Sequence, residues 1–414
     1  MPEYTRDVLR RLVLGQTDLR LLRSKPLPTA DCSHLWSFAG SVDSKVIRAG
    51  DSQLKGQFRV LFLYDATEAV RLDLLTPLLQ PSGVKPPTGL APPLPQHLRF
   101  ERPPVVEPIS PLVLETGERM EGTIKYYDYG VVSVELELPF EADWPELVLE
   151  SSRWIVATEL ETRATELFRS AMKRAAPAMV NPYETWLRED YYMIQLLEIT
   201  GADGRTVSAE ELLATHGAEI AQLVRGEAAQ LSDAERQEVL QSSLSYSHAD
   251  LLVVGWSGAL VYGSGDGAAT TIQMLEYANT QLLEFRYYDS LLTSLLGNVY
   301  RSMERKGGPL SAWRLSREAA RLNTIRLDVM ELTEKVDNAV KFLSDMFYAR
   351  LYGVIASKVG VPDYRRLVDQ KLRTAGELYR YMVEQFNQTR SFVLELTVVI
   401  ILVIEIVALF RGVK

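Results

Sequence analysis

Apolar side chains recur in steps of three and four along the last third of the chain, at Leu322, Ile325, Val329, Leu332, Val336, Val340, Leu343, Phe347, Leu351 and Val354. This spacing marks one face of a long helix. Gly360-Val361-Pro362-Asp363 interrupts it, because proline disfavours helical geometry at the residue before it and suits the first turn of the next helix. A second face follows at Tyr364, Val368, Leu372, Ala375, Tyr379, Met382 and Phe386. A third helix is predicted over 271–305, apolar at Leu275, Ala278, Leu282, Phe285, Leu292, Leu295, Val299 and Met303, and ended by Lys306-Gly307-Gly308-Pro309. Short connections between long helices favour antiparallel neighbours, so residues 269–390 read as a three-helix, coiled-coil-like stalk.

The run from Phe392 to Phe410, FVLELTVVIILVIEIVALF, is broken only by Glu395, Thr397 and Glu405. As a helix it would be about 28 Å long, close to the roughly 30 Å hydrocarbon thickness of a bilayer. Residues 391–411 are therefore expected to form a single transmembrane helix that continues the stalk. Arg390 and Arg411 sit at its boundaries, where their side chains can snorkel to the interface. Glu395 lies near one boundary, whereas Glu405 lies deeper. A carboxylate at that depth costs on the order of 3 kcal/mol, which predicts self-association or a polar helical partner. So few residues follow the run that a tail-anchored, single-pass arrangement is expected, with the body in the cytoplasm.

The N-terminal half has a different rhythm. Phe58 to Tyr64 alternates as a strand, and IKYYDYGVVSVELEL, Ile124 to Leu138, reads as two strands with a turn at Asp128 to Gly130. Helical patterns fill about 155–175 and 208–243. DLLVVGWSGALVY, Asp250 to Tyr262, reads as a hairpin turning at Gly255-Trp256-Ser257-Gly258. Strands and helices without regular alternation point to an α+β body. The proline-dense stretch Pro77 to Pro111 is predicted to be an extended linker. The expected organisation is an N-terminal α+β segment (1–76), the linker (77–111), an α+β domain (112–268), the stalk (269–390) and the membrane helix (391–411).

Composition refines this picture. The chain of 414 residues has a formal net charge of −9, which argues against broad nucleic-acid binding because that requires a positive field. Cys32 is the single cysteine, so no intramolecular disulfide is possible and a reducing compartment is expected. Arg6, Arg10 and Arg11 interrupt the apolar positions of the N-terminus, which excludes a secretory h-region there.

Candidate chemistry is sparse. Walker A, HExxH and CxxC spacings are absent, and His34, His97, His216 and His248 are scattered singly. No cofactor or metal is implied. Gly255-Trp256-Ser257-Gly258 fails the G-x-S-x-G spacing and leads into a strand rather than a helix. Gly263-Ser264-Gly265-Asp266-Gly267 reads as a loop before a helix capped by Thr270, in preference to a phosphate cradle. The candidate polar network is Glu276, Asn279, Gln281, Glu284, Arg286 and Asp289. Glu276 with Asn279, and Arg286 with Asp289, are three apart and can meet on a helix face. If these carboxylates line an open pocket they suit hydrolysis; if they are buried and paired they join helix to body.

The order of YDYGVVSV, DLLVVGWSGALVY, MLEYANTQLLEFRYYDSLL and a glutamate-marked C-terminal apolar run resembles the membrane-anchored family named for a protein required for meiotic nuclear division. The likeness spans about residues 124–410, and Leu275 to Asp289 carries it most strongly. The resemblance implies a bacterial cytoplasmic-membrane protein, or alternatively a mitochondrial inner-membrane protein that supports organellar translation as an anchor. It carries over no catalytic residue. The functional expectation is a membrane-tethered, homo-oligomeric scaffold in contact with lipid, presenting its body to a cytoplasmic protein partner. The alternatives are a membrane-bound hydrolase using carboxylates of the 276–289 helix and a ligand-responsive sensor.

Overall fold

The structure is a computed structural model that describes residues 53–79, 102–197, 206–304 and 346–410, with 199, 412 and some positions of 317–331 in addition. The expected signal-free N-terminus, Cys32, His34, His97, most of the proline-dense linker and the Lys306–Pro309 break lie outside the described residues.

A mixed sheet organises the body. Its strands are β1 (Leu54–Val70), β2 (Val105–Pro108), β3 (Leu112–Val113), β4 (Arg119–Tyr126), β5 (Val131–Ala142), β6 (Met179–Leu196), β7 (Ser243–Leu244), β8 (Leu251–Val254) and β9 (Gly258–Tyr262). They run in the order β2-β4-β5-β1-β6-β9-β8-β7, with β3 against β4. Neighbours are antiparallel except β6 and β9, which are parallel. The predicted strands at 58–64 and 124–138 and the 250–262 hairpin are all present, and the α+β character of the body stands. β1 is the central strand: it pairs with β5 from Leu54↔Ala142 to Asp65↔Val131, and with β6 from Gly56↔Leu196 to Val70↔Met179. The register with β6 shifts between Asp65 and Thr67, the signature of a bulge.

Alternation along the strands assigns their side chains to two faces. Phe58, Val60, Phe62 and Tyr64 of β1, with Val134, Leu136 and Ile194, enter one core. That core is covered by helices α2 (Trp144–Ile155), α3 (Thr158–Ala175), α4 (Ala209–Arg225) and α5 (Asp233–Leu240), while α1 (Leu72–Leu79) adds Leu75. The starts of α2, α4 and α5 are fixed locally, because the side chains of Asp143, Ser208 and Ser232 accept hydrogen bonds from the first-turn amides of Glu146, Glu211 and Glu235. Leu61, Leu63, Tyr191, Met193, Ala259 and Val261 enter the second core. Helices α6 (Asp266–Glu304), α7 (Met346–Val359) and α8 (Val361–Phe410) cover it.

This layering corrects the expectation of a freestanding stalk. Met274, Leu275, Ala278, Leu282, Leu283 and Phe285 of α6 are buried in the same core as the sheet residues. Apolar positions therefore lie on more than one face of α6, as packing in a layered body requires. The break between α7 and α8 falls at Gly360, whose φ of 99° is a left-handed value natural only to glycine. The predicted cap Thr270 is not one: α6 begins at Asp266, and the Thr270 hydroxyl donates to the Asp266 carbonyl within the helix.

The expected membrane span is also corrected. Among the described residues no helix is long and apolar enough to cross a membrane. α8 is a single helix to Phe410, and Glu405 is exposed within its distal apolar stretch. The side chains of Arg390 and the residues 391–394, like Arg411, lie outside the described residues. The transmembrane, single-pass and tail-anchored expectations, and with them the inner-membrane locations, are not supported.

Gly130 gives a direct test of the sheet's geometry. It has φ 100°, and a Cβ there would sit 1.8 Å from the Thr67 carbonyl oxygen across the bulge. Gly130→Ala is predicted to destabilise the protein by at least ~2 kcal/mol, read from urea unfolding; an unchanged midpoint would contradict this packing.

Candidate functional site

The α6-facing side of the sheet carries polar side chains where an apolar core would be expected. On β5, Val132, Val134 and Leu136 point to one face, so Ser133, Glu135 and Glu137 point to the other. The same alternation puts Arg59 and Asp65 of β1, Lys125 of β4 and Gln195 of β6 on that second face.

These groups form a continuous ionic chain. The Arg59 guanidinium donates to Glu137 at 2.5 Å and to Glu135 at 2.9 Å, and also to Gln57 and Gln195. The Lys125 ammonium donates to Glu135 at 2.9 Å and to Glu276 of α6 at 2.5 Å. Burial raises the Glu135 pKa, but the Lys125 and Arg59 charges outweigh it and hold the carboxyl at about 2. Burial likewise depresses the Lys125 ammonium, and the Glu135 and Glu276 carboxylates more than reverse this. Burial and repulsion from Glu135 push Glu137 up. Buried Tyr127 stands beside Glu276, its hydroxyl pushed well up by burial and then by that carboxylate.

The predicted network residues lie along α6 but do not converge. Glu276 is fully buried and ends the ionic chain. Asn279 is buried and donates back to the Leu275 carbonyl at 2.8 Å. Buried Gln281 accepts from the Tyr352 hydroxyl of α7. Glu284 is buried near Tyr287 and Tyr288. Arg286 pairs with Glu189 of β6 and lies over the Tyr364 ring of α8. Asp289 accepts from Lys371 of α8 at 2.5 Å. Glu276 with Asn279, and Arg286 with Asp289, thus each turn to different partners rather than to each other. Glu395 and Glu405 are exposed on distal α8.

Arg59, Lys125, Glu135, Glu137 and Asp65 escaped the sequence reading. The signal for three of them was polar residues set at alternate positions of apolar runs, Arg59 within Phe58 to Tyr64 and Glu135 and Glu137, after Ser133, within Val132 to Leu138. Such a pattern ordinarily marks a solvated sheet face; here α6 covers it.

Neither described cleft is lined by these groups. The described cleft of about 420 Å³ is lined by Glu118, Arg119, Phe140, Glu146 and Trp154. It adjoins the opposite core, to which Trp154 and Phe140 belong. Among the described residues no group of three or more His, Cys, Asp or Glu side chains could hold a metal ion. His216 stacks on Trp144 with ring centroids 4.4 Å apart. Gly255–Gly258 closes the β8–β9 turn, the Gly255 amide donating to the Gly258 carbonyl at 2.8 Å.

The fold and its buried chain of charges define a three-layer α+β domain in which charged residues lock a helix to a sheet. By sequence, the chain belongs to the family described as "Uncharacterized protein MJ0711, N-terminal domain", which matches residues 55–269, more than half of its length. It is 21% identical over 188 residues to "Uncharacterized protein MJ0711" of Methanocaldococcus jannaschii, an alignment covering 45% of this chain. The chain spans only 58% of the length of that relative. No solved structure matches it. These matches overturn the resemblance to the meiotic nuclear division family: the family shown is a different one and the matched relative is archaeal.

Two predictions follow from the ionic chain. Lys125→Met leaves Glu135 and Glu276 buried without their shared cation and should cost roughly 3–5 kcal/mol in urea unfolding, whereas Lys125→Met with Glu276→Gln should recover part of the loss. Because the folded Glu135 pKa is depressed from 4.5 to about 2, its contribution is present above about pH 4.5 and lost as pH falls toward 2. Glu135→Gln should flatten that part of the Tm-versus-pH curve.

Proposed function

We propose that this protein is a non-enzymatic scaffold that assembles with copies of itself through distal α8 and presents its sheet domain to a protein partner. The observation that carries this reading is the surface of α8 from Val398 to Leu409. Val398, Val399, Ile400, Ile401, Leu402, Val403 and Ile404 are each 50–62% exposed. Successive residues on a helix are about 100° apart, so this run is apolar at every azimuth. A single flat surface would cover only part of it. Equivalent helices around a common axis would cover the inward face of each copy and bring the Glu405 side chains of the copies into one ring.

The burial of Glu276 and the ion pairs of Arg286 and Asp289 support a scaffold over a hydrolase. Glu276 is inaccessible, Asp289 is neutralised by Lys371 and Arg286 by Glu189. A sheet braced in this way suits constant presentation of a surface rather than turnover.

The mass of the full chain in solution tests the proposal. Light scattering should give an integral multiple of the 46.6 kDa chain mass. Replacing Ile400, Ile404 and Val407 together by serine should shift the protein at least tenfold toward smaller species at equal concentration. A monomer at tens of micromolar, unaltered by the substitutions, overturns it.

A further inference from the structure

Asp65 is 1% exposed at the β1 bulge, and its Oδ2 has no hydrogen-bond partner among the described residues. A carboxylate in that position would be desolvated without compensation, a state buried acids avoid by staying protonated. Its surroundings supply little positive charge. α6 brings Glu284, Tyr287 and Tyr288 towards it, and β6 brings Tyr183. Tyr183 and Tyr287 stack with centroids 5.0 Å apart, and Tyr287 meets Tyr288 edge-on. Asp128 and Tyr129 lie on the neighbouring turn, with Tyr129 tied to Thr280 of α6 at 2.8 Å. Arg321 and Asp328 face the same tyrosines from the 317–331 segment. On β1 itself, Glu68 bonds Asn181. The nearby Arg286 is engaged by Glu189.

The same two turns of α6 hold α8. Arg286 lies over the Tyr364 ring at 5.8 Å, and the Lys371 ammonium reaches both Asp289 Oδ1 and Thr293 Oγ1 at 2.5 Å. Any displacement of the Glu284–Tyr288 turn from the bulge therefore moves the groups that seat α8.

We propose that Asp65 is a proton-controlled latch: protonated, it lets the bulge of β1 seat the Glu284–Tyr288 turn of α6, and ionised, it loosens that turn and with it the attachment of α8. The latch is independent of whether distal α8 self-associates. Burial sets the working range, raising the Asp65 pKa to about 8. The unfolded chain binds this proton only below its ordinary value near 3.8. The folded state thus holds more protons between about pH 4 and 8, stability falls with rising pH across that window, and the fall ends once folded Asp65 has itself ionised.

Hydrogen exchange corrected for intrinsic rates, measured from about pH 6.5 to 9.5 on the full chain, tests the latch. Wild-type protein should lose protection at least tenfold in 280–295 and 361–375 across this range while the β5 strand stays protected. Asp65→Asn should hold protection constant in both segments, and its Tm should exceed that of wild type at pH 8 but match it below pH 4. Infrared difference spectra of wild type against Asp65→Asn should show the carbonyl band of a protonated acid at neutral pH, bleaching as pH rises. Parallel exchange profiles for the two proteins, or no protonated-acid band at neutral pH, overturns the proposal.

Discussion

Lys125 is the physical hinge of this structure, since its one ammonium joins a buried carboxylate of the sheet to a buried carboxylate of the helix above it. It is shared between Glu135 of the sheet and Glu276 of α6, in an interface that mixes aliphatic side chains with the Arg59 network and the Arg286–Glu189 pair. Such a bridge gains little net free energy, because desolvating three charges offsets most of their attraction. Its contribution is to register. α6 could slide along the aliphatic side chains of the sheet with little loss of contact area. It cannot slide without stranding Glu276, so the ion pair selects one alignment from several that the hydrophobic effect leaves close in free energy.

The two faces of the sheet solve burial differently. Toward α2–α5, the central strands present Phe58, Phe62, Tyr64, Ile194 and Leu260, a continuous apolar surface. Toward α6 they mix Leu61, Leu63 and Met193 with Arg59, Glu135 and Gln195. The first face defines a core by volume and the second by directional bonds. Helices α6, α7 and α8 lie on the second face, so the long arm of the molecule is attached through its more specific and more titratable side. The family match, ending at residue 269, covers the sheet and the first helical layer but only the beginning of α6.

Much of the sheet was legible in the sequence. Phe58 to Tyr64, the turn at Asp128 to Gly130 and the 250–262 hairpin follow from alternation and glycine placement, both of which act locally. The charges were not legible, because alternation identifies a face without identifying what covers it. Glu135 in VSVELEL reads as solvent-facing until α6, more than a hundred residues later, is laid over it. The reverse error occurred with α6: its regular apolar steps looked like a stalk seam, although extra apolar positions such as Met274 and Leu283 signal a helix embedded in a layer. The C-terminal run shows a third limit. Apolar composition alone suggested a span, but among the described residues no helix is long and apolar enough to cross a membrane.

The position of β1 has a consequence for biogenesis. Leu54 meets Ala142 and Gly56 meets Leu196, so β1, the first strand among the described residues, is completed by segments made long after it. Contacts of such sequence separation slow folding, because chain closure precedes any compensating interaction. During translation β1 waits as a long, apolar strand with both edges open. That is the kind of segment that pairs with neighbouring nascent chains, and Arg59, set among Phe58, Val60, Leu61 and Phe62, is the charge placed to discourage it.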